Sequence, residues 1–141
     1  MKAIQGYTMN SMYDDVARFH IEVLKVERPP LPSLVSDLFT TEKVRFLNEE
    51  LEEYATAAYE GDLVKATDGL LDLIYVALGT LYSMGVPVNE CWNAVQAANM
   101  QKVRGVTHRG NEVDAAKPAN WLPPDIEIAR IIGEAIDASH D

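Results

Sequence analysis

Cysteine occurs once and histidine three times in this chain of 141 residues. The lone Cys91 leaves no internal disulfide and no thiolate metal site, as suits a reducing compartment. Its expected role is that of a small packing residue rather than a reactive thiol. Ala17, Gly105 and Asp137 stand three places before His20, His108 and His140, so no Glu-x-x-His pair exists and a di-iron helical bundle is excluded. Basic residues are outnumbered, 12 against 22 acidic, for a formal charge of -10. Such a surface repels nucleic acid and anionic lipid, and neither is expected as a partner. Strand signals are sparse. Gly69 to Val88 is apolar but is interrupted by Asp72, Gly79, Gly85 and Pro87, whereas a crossing helix takes about 20 predominantly apolar residues. The opening MKAIQGYTMN lacks the apolar stretch of a secretory signal, and a cytoplasmic location is expected.

What the chain does have is helical periodicity. With 48% hydrophobic and 24% charged residues it can bury the core of one domain, expected to span 1–141. Met12, Val16, Phe19 and Val23 space out a first helix, capped by Asn10 or Ser11 and broken by ERPPLPS. Val44, Leu47, Leu51, Tyr54 and Ala58 mark a second, with Thr40 or Thr41 as cap and Gly61 as stop. A third runs from a cap at Asp62 to Gly85, and the short connection makes it an antiparallel neighbour of the second. A fourth is expected between Asn89 and Gly105, then a long functional loop over about 105–123. A short helix over about 125–138 places Ile128, Ile131, Ile132, Ala135 and Ile136 on one face. The fold class is therefore all-α, a bundle of four to five helices.

Asp72 is out of place in its apolar helix, because burying an unpaired carboxylate costs on the order of several kcal/mol. At about 100° per residue, Lys65, Asp68, Gly79 and Ser83 fall within about 40° of Asp72, while Leu70, Ile74, Ala77, Leu78 and Leu81 cover the other side. On the preceding helix, NEELEEY places Glu49, Glu50 and Glu53 within about 100° of one another. A turn centred between Glu60 and Gly61 sets Glu49 level with Asp72, and Glu53 level with Asp68. With helix axes about 8 to 10 Å apart, these carboxylates converge. Hard oxygen donors without His or Cys suit Mg²⁺ or Mn²⁺; the alternative is pairing with Lys65 or with other Lys and Arg residues.

Lys102, Arg104, Arg109 and Lys117 fall close together at the end of the fourth helix and in the long loop. They read either as a helix-end charge preference with a solvated loop or as a phosphate-binding rim, in which Asn99 and Lys102 sit one helical turn apart. Trp121 reads as part of a lid or as packing for the loop.

With these residues assembled, the chain resembles the all-α nucleoside triphosphate pyrophosphohydrolases, the superfamily of MazG, the phosphoribosyl-ATP pyrophosphohydrolases and the dimeric dUTPases. The E-E-x-x-E motif appears as Glu49-Glu50-Leu51-Glu52-Glu53. Asp72 matches the last position of the second motif, E-x-x-D, whose first position is Gly69 here, with Asp68 one residue earlier. NMQK and KPANWLPPD look like segments of small MazG-like proteins of phage genomes, and the resemblance covers roughly 10–125.

The resemblance implies hydrolysis of a nucleoside triphosphate between the α and β phosphorus atoms, giving monophosphate and pyrophosphate, in control of the nucleotide pool. It implies two to three Mg²⁺ per site, replaceable by Mn²⁺, on Glu49, Glu50, Glu53, Asp68 and Asp72, with Glu49 or Glu50 as the catalytic base. Asn99, Lys102 and Lys117 would hold phosphates or sugar, Asp15 and Phe19 would contact the base, and the assembly would be a homodimer or homotetramer. The rival readings are a phosphoribosyl-ATP pyrophosphohydrolase and a non-catalytic helical interaction module.

Overall fold

The computed structural model describes residues 11–139; Asn10, the alternative first cap, lies outside them. The elements are α1 (Met12–Glu22), α2 (Asp37–Tyr59), α3 (Leu63–Ser83), α4 (Val88–Met100), β1 (Val103–Gly105), β2 (Asp114–Ala116) and α5 (Asp125–Ala138). The all-α expectation holds, with one small antiparallel hairpin added. No helix of the described residues is long and apolar enough to cross a membrane. The chain divides into two compact units, one ending at Val86 and one beginning at Pro87.

In the first unit, Ser11 caps α1 through a reciprocal pair of bonds, its hydroxyl accepting from the Asp14 N–H and its N–H donating to the Asp14 carboxylate. The helix stops at Glu22, before the prolines: Lys25 turns to φ 58° and the Val26 N–H returns to the His20 carbonyl. The connector then lies along the end of α3. The Tyr82 hydroxyl donates to the Val26 carbonyl at 2.6 Å, and the Arg28 guanidinium donates to the Gly85 carbonyl at 2.9 Å. Tyr13, Val16, Ala57, Tyr82 and Val86 form this unit's buried apolar set.

The second helix begins earlier than its apolar pattern suggests. Ser36, and not Thr40 or Thr41, is the cap, accepting from the Phe39 N–H at 3.2 Å. Thr41 is already inside the helix, with its hydroxyl donating to the Asp37 carbonyl.

The α2–α3 turn joins a C-cap directly to an N-cap. Gly61 takes φ 76°, its N–H reaches the Ala58 carbonyl, and the Asp62 N–H reaches the Ala57 carbonyl, which is the Schellman arrangement. Asp62 then caps α3, accepting from the Lys65 N–H at 3.0 Å. Further along, Gly69 is buried against the backbone of Tyr54. A Cβ there would lie 3.0 Å from the Tyr54 nitrogen and 3.1 Å from its Cα, so the missing side chain is what lets α2 and α3 meet. The apolar side of α3, expected to be buried, is only partly covered in a single chain: Leu70 is 42% exposed and Leu71 54%.

In the second unit, α4 starts at Val88, with Pro87 at the cap position and no side-chain cap, so Asn89 is inside the helix. It ends at Met100 and not at Gly105, and Lys102 therefore lies beyond it. β1 falls at the end of the expected fourth helix and β2 in the expected long loop, with Val103 opposite Ala116 and Gly105 opposite Asp114. Asp114 organises its bend, accepting from the Thr107 hydroxyl, from its neighbour's Ala115 N–H and from Arg109. Those bonds, the Thr107 hydroxyl first, hold its carboxyl down at about 2. The isoleucine side of α5 is its less exposed side, though no α5 residue is fully buried.

Gly69→Ala is expected to cost about 2 kcal/mol, because the tight neighbour is backbone and cannot step aside. Gly133→Ala, in the interior of α5 where a Cβ meets nothing within 4 Å, is expected to be neutral or to stabilise by about 0.5 kcal/mol. Urea denaturation followed by circular dichroism at fixed chain concentration measures both; equal effects of the two substitutions would contradict the close approach.

Candidate functional site

Glu50 and Glu53 sit three apart on α2, and Asp68 and Asp72 four apart on α3, so each pair occupies one helical face. The structure brings Glu50, Glu53 and Asp72 together, with one carboxylate oxygen of each within 4.8 Å of the others. Glu50, rather than Glu49, partners Asp72. The close approach of Gly69 to Tyr54 marks a register of α2 and α3 beyond the one assumed from sequence, and of the two glutamates Glu50 is the one whose carboxylate joins Asp72. Glu49 and Asp68 lie outside the trio and line an adjoining groove of about 610 Å³ together with Glu53 and Lys65.

The electrostatics of the trio are unfavourable as they stand. Glu50 Oε2 is buried with no hydrogen-bond partner. Burial first, then repulsion from Glu53 and Asp72, pushes the Glu50 carboxyl above its ordinary 4.5. Burial, then Asp68 and Glu53, pushes Asp72 above its ordinary 3.8. Among the described residues, the ion pairs are Arg18 with Glu22, Arg109 with Asp114, and Arg130 with both Glu127 and Glu134. None of them involves the cluster, and Lys65, which lines the groove, pairs with none of its acids. The salt-bridge explanation of Asp72 is therefore not realised among these residues.

An orphaned buried oxygen inside a triangle of carboxylates fits a hard divalent cation, which takes oxygen ligands and neutralises the repulsion. Glu50, Glu53 and Asp72 are the residues placed to hold it.

The remaining candidates are spread out. Asp15 is exposed in the first turn of α1. Phe19 packs edge-on against Tyr75 of α3, with ring centroids 5.6 Å apart. Neither lines the acidic groove. Asn99, Lys102 and Lys117 belong to the second unit. Asn99 is exposed in the last turn of α4, and the Lys102 N–H donates to its carbonyl at 3.1 Å. Lys102 and Lys117 both stand over the Trp121 ring, 5.1 and 5.0 Å from its centroid. Sequence reasoning singled out Trp121 only as lid or packing; its contact with both lysines depends on the hairpin register. Cys91 is half-buried, and burial followed by Glu90 pushes its thiol up, which leaves it protonated rather than reactive.

A mostly helical chain in which two packed helices pool their carboxylates defines the class of protein. The chain belongs to the phosphoribosyl-ATP pyrophosphohydrolase family, whose profile matches residues 16–99, a stretch that contains all five candidate metal-binding acids. The family is one of hydrolases acting on pyrophosphate bonds. No curated protein matches the chain.

In metal-free buffer at pH 7, Glu50→Gln and Asp72→Asn are each expected to raise Tm by roughly 3 to 5 °C. The folded-state values of both carboxyls are raised, so their favourable contribution is full below the ordinary values of 4.5 and 3.8 and is lost as pH rises through the folded ones. Through these two groups the metal-free wild type loses stability on going from acid to neutral pH, and each variant lacks its share of that loss. Mg²⁺ or Mn²⁺ is expected to raise Tm at pH 7 in the wild type alone. Thermal scans with and without metal decide it, and a lower metal-free Tm in both variants would contradict the assignment.

Proposed function

We propose that the chain is a divalent-cation-dependent nucleoside triphosphate pyrophosphohydrolase, cleaving (d)NTP between the α and β phosphorus atoms to (d)NMP and pyrophosphate, in control of the nucleotide pool. The observation that carries this reading is the trio of Glu50, Glu53 and Asp72 with its partnerless buried oxygen. The net charge of -10 points the same way, since bridging cations offset the repulsion between so acidic a protein and a polyanion.

Glu50, Glu53 and Asp72 would hold the metal, and Asp68 would extend the donor set along the groove. Two or three Mg²⁺ or Mn²⁺ ions, when bound, would supply neutralisation of the triphosphate charge and Lewis acidity toward the attacking water. Glu49 or Glu50 accepts the proton of the attacking water; Glu49, outside the trio, keeps its carboxylate free for that role. Lys102, Lys117 and Asn99 contact phosphates or sugar, and Asp15 and Phe19 the base.

The family match favours a second reading, hydrolysis of phosphoribosyl-ATP at the same kind of bond. Pyrophosphate release from phosphoribosyl-ATP and from a panel of NTPs and dNTPs, including dUTP, with Mg²⁺ and Mn²⁺, separates the two. Glu53→Gln and Asp72→Asn are expected to lower turnover at least about 10²-fold while leaving helical content intact; near-normal turnover in either variant would overturn the reading.

We also propose a homodimer or homotetramer, supported by the partly uncovered apolar side of α3, where Leu70, Leu71, Ile74 and Tyr75 remain exposed in one chain. Light scattering is expected to give a multiple of the chain mass, and a concentration-independent monomer would contradict it.

A further inference from the structure

Lys102 and Lys117 meet at the open end of the β1–β2 hairpin. Val103 pairs with Ala116, so the lysine preceding β1 and the lysine following β2 stand across from each other. Trp121 lies between this pair and α4, fixed at two points: its indole N–H donates to the Ala98 carbonyl at 2.7 Å, and its backbone N–H donates to the Pro118 carbonyl at 3.0 Å. Both ammonium groups sit over this one ring, 5.1 and 5.0 Å from its centroid.

Like charges placed across a strand pair are destabilising. The ring face attracts each ammonium but does nothing for their mutual repulsion. In a chain with 22 acidic residues, carboxylate partners are plentiful, and Arg18, Arg109 and Arg130 each have one. Among the described residues no lysine forms an ion pair; what distinguishes Lys102 and Lys117 is that they share one aromatic ring. The hairpin's own carboxylate, Asp114, is committed to Thr107 and Arg109. Two ammonium groups gathered on one ring are placed to share a bridging anion. A pyrophosphate linkage offers one, since it presents a separate phosphoryl group to each charge. The family match ends at Asn99, and these three residues lie beyond it.

We propose that Lys102 and Lys117, held in place by Trp121, form a clamp for a polyphosphate chain that works without metal. The clamp rests on the phosphate role given above to the two lysines and adds to it the indole platform and independence from the acidic trio. Phosphoryl oxygens are its ligand, whether on a nucleoside triphosphate or on released pyrophosphate.

The test uses the full chain with Trp92→Phe, which leaves Trp121 as the one remaining tryptophan, in chelator at constant ionic strength so that no turnover occurs. Trp121 emission is followed during titration with pyrophosphate, tripolyphosphate, ATP and sulfate. A saturable change with the polyphosphates is expected, with Lys102→Ala and Lys117→Ala each weakening binding roughly tenfold and the Arg variants retaining it. Preference for pyrophosphate assigns the clamp to the released product; preference for ATP and tripolyphosphate assigns it to the substrate chain. Asp72→Asn is expected to bind as the parent does, so loss of the metal-centre reading would leave this result standing. The proposal is overturned by no saturable change with any polyphosphate, by an equal response to sulfate, or by Lys43→Ala, an equal loss of charge on α2, weakening binding as much as the hairpin variants do.

Discussion

The approach of α2 to α3 at Gly69 is the contact on which the rest of the first unit depends. With a Cβ only 3.0 Å from the Tyr54 nitrogen, any side chain at position 69 would push the helices apart, and the trio of carboxylates would separate with them. The turn at Gly61 and Asp62 fixes the register along the hairpin, and the glycine contact fixes the distance across it. Together they hold Glu50, Glu53 and Asp72 against their own repulsion, so the energy of packing and capping is what keeps the charged trio assembled. The resemblance would put an acid at position 69. In this chain the residue serves helix contact instead, and the acid next to it, Asp68, faces the groove.

The second unit handles charge differently. Arg109 and Asp114 close the hairpin bend, with the Asp114 side chain largely covered, and Arg130 is shared between Glu127 and Glu134 on α5; the α5 pairs are exposed, of the kind that add little stability. Against this background the two lysines over Trp121 stand apart, because their partner is an aromatic face. Thus an excess of negative charge is concentrated on one helical hairpin, and an excess of positive charge on one strand end.

Local signals made much of this legible in the sequence. Asp62 and Gly61 are cap and stop residues adjacent in the chain, and the structure uses both as such. NEELEEY and Asp68 to Asp72 carry helical spacing within a few residues, so the acidic cluster could be assembled from one short turn; which of the five acids form the close trio depends on the exact register of the two helices. Ser36 was obscured because the apolar pattern of α2 begins only at Val44, leaving Thr40 and Thr41 as nearer caps. The hairpin was invisible for a different reason: strands of three residues, VRG and DAA, are too short to show alternation, and what stabilises their bend is the contact of Asp114 with Thr107 and Arg109, which no periodicity encodes. Placing Lys102 on α4 followed from the same omission. The covering of α3 was not legible at all, since its apolar side reads the same whether the chain itself or a second copy buries it.

The central claim is that the α2–α3 hairpin gathers its acids to hold divalent cations. Calorimetric titration of the metal-free chain with Mn²⁺ tests it most directly. Tight, saturable binding of two to three ions per chain is expected in the wild type and should be lost in the combined Glu50→Gln, Glu53→Gln, Asp72→Asn variant. Binding that is weak and unsaturable in the wild type, or that survives unchanged in that variant, would contradict it.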